Sequence, residues 1–72
     1  GMERYGEACA HFEAAVRLQP RNPNALHALG QVYTRLGRLD QAADCFRRVL
    51  ALDPRSERAR AALQAVEQAR PH

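Results

Sequence analysis

A chain of 72 residues holds one small domain at most, and a domain of that size buries only about 60% of the surface its unfolded form exposes. With 46% apolar residues the chain is not of the disordered class, and no apolar run nears the roughly 20 residues of a membrane span. The formal charge of +3 is carried by arginine alone, because lysine is absent.

The first predicted element is a helix over about residues 3–18, with Tyr5, Phe12 and Val16 among its apolar positions. A second helix is predicted over residues 23–36. Asn22-Pro23 puts an N-cap residue before a proline, which suits the first helical position. Leu26, Leu29, Gly30, Tyr33 and Leu36 form one stripe of helical spacing along it. Gly37 is the expected left-handed stop. A third helix, residues 39–52, carries Leu39, Ala42, Phe46, Val49 and Leu50 by the same rule. Asp40 either caps it or adds negative charge to its first turn. A fourth helix is predicted over residues 54–70, with Asp53-Pro54 read as a second cap-and-proline start and Pro71 as its end. Gly30 inside a helix costs about 1 kcal/mol relative to alanine. Close approach of a neighbouring helix is the expected compensation, with Gly30 and Ala42 at the contact and Phe46 filling the space beside them.

The chain repeats itself. Shifted by 34 residues, Ala8 falls on Ala42, Phe12 on Phe46, Val16 on Leu50, Leu18 on Leu52 and Pro20 on Pro54. Ala25, Leu29 and Val32 fall on Ala59, Leu63 and Val66. Such a period belongs to a helix-turn-helix repeat. Leu26, Leu29, Gly30, Tyr33, Gly37, Ala42, Phe46, Val49 and Pro54 stand at the spacing of the tetratricopeptide repeat, which the chain resembles over nearly all its length. Leu26 stands where that family usually has tryptophan. The resemblance implies an all-α fold of antiparallel helix-turn-helix hairpins in a short right-handed solenoid, one domain over residues 1–72. It holds one complete repeat, Pro23 to Ser56, with a half repeat on each side. The fourth helix departs from the signature at Arg60, Gln64 and Glu67 while keeping Ala59, Leu63 and Val66. A polar outer face of that kind suits the end of a stack. Gly1-Met2 reads as a cloning remnant, and the chain as a piece of a longer repeat protein.

In such a solenoid the first helix of each repeat lines an inner groove. The resemblance therefore places Asn24, His27, Gln31, Thr34 and Arg35 of the second helix, and Arg58, Ala61, Ala65 and Gln68 of the fourth, along a surface that would take a peptide. Asn24, His27, Gln31, Thr34, Arg35 and Arg58 are the candidate contacts, although an ordinary solvated helix face would look the same in sequence. The family's clamp for acidic chaperone tails is matched poorly: His27 and Gln31 replace its first lysine and asparagine, Ala28 and Ala62 stand where polar groups are needed, and only Arg58 agrees in character.

Other chemistry has little support. Cys9 and His11 lie two apart on a helix and point to different sides, so no metal site is expected. No glycine sits in a phosphate-loop context, Ser56 is explained by capping, and His72 by its terminal position. No cofactor is expected. Arg47, Arg48, Arg55, Arg58 and Arg60 could meet phosphates, but Asp44, Asp53 and Glu57 interleave and no exposed aromatic suggests base stacking. Nucleic acid is therefore an unfavoured partner. Arginine in place of lysine can serve bidentate recognition, but GC-rich codons explain the joint absence of lysine and isoleucine. Cys9 and Cys45 are expected to be reduced packing residues. The function expected is a cytoplasmic, non-catalytic scaffold that binds a peptide or helix of a partner protein. Two rivals are self-association or array packing through the first helix, whose apolar residues lack cover, and a regulatory segment of a larger enzyme.

Overall fold

The computed structural model describes residues 2–70, with side chains from Arg4 to Arg70; the expectations placed on Gly1, Pro71 and His72 lie outside this range. Four helices follow one another: α1 (Met2–Leu18), α2 (Pro23–Arg35), α3 (Leu39–Leu52) and α4 (Glu57–Ala69). Each packs on the next as an antiparallel neighbour, because the connecting segments are too short for any other arrangement. The slab measures 32 × 31 × 16 Å.

The joints show how the sequence sets the hairpins. Asn22 caps α2, its Oδ1 accepting from the Asn24 and Ala25 amides at 3.0 and 3.3 Å, with Pro23 at the first helical position. At the other end Arg38 N–H donates to the Tyr33 carbonyl (2.8 Å) and Gly37 N–H to Thr34 (3.1 Å). This is the Schellman pattern, and Gly37 supplies its left-handed residue at φ 78°. Asp40 lies in the first turn of α3 and does not cap it; the N-cap is Arg38, which makes no side-chain cap bond. Asp40 therefore acts through its charge near the helix N-terminus.

One boundary departs from expectation by more than a single residue. Helix α4 begins at Glu57, not at Pro54, and Ser56 is its N-cap, accepting from the Ala59 amide at 3.2 Å. Pro54 lies in the preceding turn. There Asp53 Oδ1 accepts from the Arg55 amide (3.2 Å) and the Asp53 carbonyl from the Ser56 amide (3.1 Å). The Asn22 amide bonds the Gln19 carbonyl at the same distance one repeat earlier. Pro54 is thus the counterpart of Pro20, and Ser56 of Asn22. Pairing Pro54 with Pro23 overlooks a correspondence already present in the 34-residue shift.

The core is built from the stripes: Leu26, Leu29, Val32 and Tyr33 of α2, Ala42, Ala43, Cys45, Phe46 and Val49 of α3, Ala59 and Val66 of α4, and Cys9 and Val16 of α1. Phe46 and Leu26 are its largest fully buried side chains. A methyl group on Gly30 would stand 2.7 Å from Phe46 Cε1 and 2.8 Å from Cζ. The glycine exists to admit this ring. Alanine at an open helix position would gain about 1 kcal/mol. Here Gly30→Ala is expected to destabilise by about 1–3 kcal/mol through overpacking, read as a lower urea midpoint. Adding Phe46→Leu to Gly30→Ala should restore a part of that loss.

Candidate functional groove

On the face opposite α3, helices α2 and α4 enclose an open groove of about 590 Å³. Gln31, Thr34 and Arg35 form its α2 wall, Ala62, Ala65, Val66 and Ala69 its α4 wall, and Phe46 reaches it from below. The two walls are repeat equivalents: Gln31 corresponds to Ala65, and Arg35 to Ala69. One wall is therefore polar and the other apolar at matching positions. Thr34 Oγ1 donates back to the Gly30 carbonyl at 2.8 Å, so its proton is already committed. Neither Gln31 nor Arg35 has a side-chain hydrogen bond or ion pair to another described residue.

The expected contacts divide on this geometry. Gln31, Thr34 and Arg35 share the groove. Asn24 is exposed in the first turn of α2, outside the lining. Arg58 is exposed on α4, also outside the lining; at helical spacing it stands one turn beyond Ala62. Ala61 and Gln68 do not line the groove, whereas Ala62, Val66 and Ala69 do. Of the stripe expected on the fourth helix, Ala65 alone lines the groove; its other α4 lining residues, Ala62, Val66 and Ala69, are the repeat counterparts of Ala28, Val32 and Arg35.

His27 is the clear correction. It lies in the core at 5% exposure, its ring 5.2 Å from that of Phe46. At position 27 the α2 face already turns toward α3, so the imidazole packs instead of meeting solvent. Its Nδ1 has no hydrogen-bond partner among the described residues. Burial, and then the Arg58 charge, hold its pKa below the ordinary 6.5.

The remaining ionisable groups serve the core and the edges. The Tyr33 hydroxyl donates to Glu13 Oε2 at 2.7 Å and ties α2 to α1. Burial and that bond raise the Tyr33 pKa. Burial also raises the Cys9 thiol, with Glu13 adding to it, and pushes Cys45 up to about 11, with Asp44 adding. Both cysteines are buried and free. Protonated thiols of this kind are packing groups, not nucleophiles. Arg47 pairs with Glu67 at 2.7 Å and Arg70 with Asp40 at 2.9 Å, joining α3 to α4. Among the described residues no cluster of His, Cys, Asp and Glu could hold a metal ion, and no helix is long and apolar enough to cross a membrane.

Stacked antiparallel helices with a groove along one face define an α-helical repeat protein. A family model described as tetratricopeptide repeat matches residues 1–70, and the chain belongs to that family. It is similar to Superkiller protein 3 of Schizosaccharomyces pombe, 38% identical over 52 residues, which cover 72% of this chain and 4% of that protein. Anaphase-promoting complex subunit 3 of the same yeast is 38% identical over 52 residues, 72% of this chain and 8% of its own length. Peptidyl-prolyl cis-trans isomerase FKBP42 of Arabidopsis thaliana is 32% identical over 65 residues, covering 90% of this chain and 18% of that protein. The chain thus spans a small part of each relative.

The burial of His27 has a pH signature. Above pH 6.5 the imidazole is neutral in both folded and unfolded chains, and stability is full. As pH falls below that value the unfolded chain takes a proton that the folded chain resists, so stability falls until the folded-state pKa is reached. The slope from this group is up to about 1.4 kcal/mol per pH unit. Urea unfolding at pH 7.5 and 5.5 should show the loss, and His27→Leu should flatten it.

Proposed function

We propose that the chain is a protein-interaction module that holds a segment of a partner protein in the α2–α4 groove and has no catalysis of its own. The observation that carries this reading is the groove itself. Its volume lies within the range of about 300–1,000 Å³ common to binding sites. It joins an apolar floor to a polar wall whose Gln31 and Arg35 are free to bond a ligand. Membership of the tetratricopeptide repeat family supports the same reading, as does a relative whose name makes it a subunit of a complex. The cytoplasm is the compartment we favour, because a reducing environment suits two buried, unpaired thiols. Nucleic acid is not the partner we propose: Arg47 is already taken by Glu67.

A further trough favours a second, compatible reading. Tyr5 and Phe12 of α1 with Ala28, Gln31, Val32 and Arg35 of α2 bound a space of about 310 Å³. Phe12, Ala28, Gln31, Val32 and Arg35 are the repeat counterparts of Phe46, Ala62, Ala65, Val66 and Ala69. It is the same groove one repeat earlier, without the helix that would form its other wall. Tyr5 stands 38% exposed there. We therefore propose that this face packs against another repeat, in a longer array or in a second copy. Spanning 18% of a relative named as an isomerase, the chain also suits a repeat segment beside a catalytic domain.

Two measurements test these readings. Gln31→Ala with Arg35→Ala changes exposed side chains, and should leave folding intact while weakening a partner recovered by pull-down about tenfold or more. Unchanged binding would remove the groove assignment. Light scattering at tens of micromolar should give a mass above the monomer if α1 pairs with a second copy, and Tyr5→Glu should abolish it; a clean monomer leaves array packing as the role of this face.

A further inference from the structure

We infer that the segment held by the groove is an amphipathic α-helix that turns its apolar side to α4 and a carboxylate to Arg35. The inference rests on the groove reading and adds the form and charge of the occupant. Three observations carry it.

The first is the supply of hydrogen bonds. An extended segment brings an unpaired amide and carbonyl at nearly every residue, and these need partners when buried. The groove offers few. Its α4 wall is alanine and valine, its floor is Phe46, and the Thr34 proton is already given to Gly30. Gln31 and Arg35 alone could not satisfy an extended backbone. A helix satisfies its own backbone.

The second is shape. Ala62, Ala65 and Ala69 lie at i, i+3 and i+7 on α4, along about 10 Å of its axis. A face of small side chains lets another helix approach closely, within the usual interaxial range of about 8–10 Å. Helices α2 and α4 already cradle α3 on their other side. The occupant would sit on their open face as α3 does on the closed one, over a floor formed by the buried ring of Phe46.

The third is charge. No acidic side chain lines the groove. Arg47 and Arg70 have carboxylate partners within α3 and α4, whereas Arg35 has none among the described residues. Arg58, exposed on α4 one turn beyond Ala62 and outside the lining, adds positive charge near the far end. Because the polar group stands on α2 and the apolar surface on α4, the occupant must carry the two on different sides, which is the amphipathic pattern.

The test is selection of a random dodecapeptide display library on the 72-residue chain. Selected peptides are then measured by fluorescence anisotropy against the wild type, Arg35→Ala and Ala65→Gln. Ala65 is exposed and glutamine is a good helix former, so the second variant obstructs the groove without harming α4. Expected are peptides with an Asp or Glu spaced three or four residues from a large apolar residue. They should gain helical circular dichroism on binding, lose affinity when a central residue becomes proline, and weaken about tenfold or more with either variant. Peptides weakened by Ala65→Gln but indifferent to Arg35→Ala, or tolerant of proline throughout, would overturn the inference and leave the groove reading standing. Peptides indifferent to both variants, or no enrichment at all, would overturn the groove reading and this inference together.

Discussion

The ring of Phe46 fills the space that Gly30 leaves open on α2, and the relation between α2 and α3 depends on that contact. The ring is 1% exposed and also meets the His27 imidazole. Its far edge reaches the groove between α2 and α4. One side chain thus sets the helix spacing, shields a buried imidazole and forms the groove floor. A change that moved Phe46 would alter stability and binding surface together.

The two ends of the slab are unlike, and the difference lies in side chains rather than in the backbone. Helix α4 repeats α2 in its inward positions Ala59, Leu63 and Val66. At the counterparts of the buried Leu26, Gly30 and Tyr33 it carries Arg60, Gln64 and Glu67, which are all exposed. Arg60 Nη2 donates to the Pro54 carbonyl at 3.2 Å, and Glu67 joins Arg47. Water and ion pairs therefore cover that end; exposed pairs contribute up to about 1 kcal/mol each, so their main effect is to keep the face polar. Helix α1 at the other end presents Tyr5 and Phe12 without such cover.

Much of this was legible in the residues. The repeat placed Gly37, Asn22 and the stripes of α2 and α3, because caps, left-handed glycines and helical periodicity act over a few residues. Helix α3 falls where its pattern predicts, and Gly30 meets Phe46 as its internal position suggests. The start of α4 departs from the pattern because two prolines in similar company, Pro23 and Pro54, do different things. Only the hydrogen bonds that Ser56 Oγ and Asp53 Oδ1 accept separate an N1 proline from a turn proline. His27 departs from its pattern for another reason. A polar residue on a polar-looking stripe is assumed to face water, and which flank of a helix is covered depends on where its neighbours cross it.

The sequence by itself determined four helices, their turns, the repeat they share and the residues that make them stack, since all of these follow from local pattern. The tertiary structure alone decided which faces remain open. It set Arg35 and Gln31 across from Ala62, Ala65 and Ala69, and it withdrew His27 into the core. Those relations join residues some 30 positions apart through the crossing of α2, α3 and α4, a geometry fixed by how Gly30 and Phe46 pack and not by periodicity.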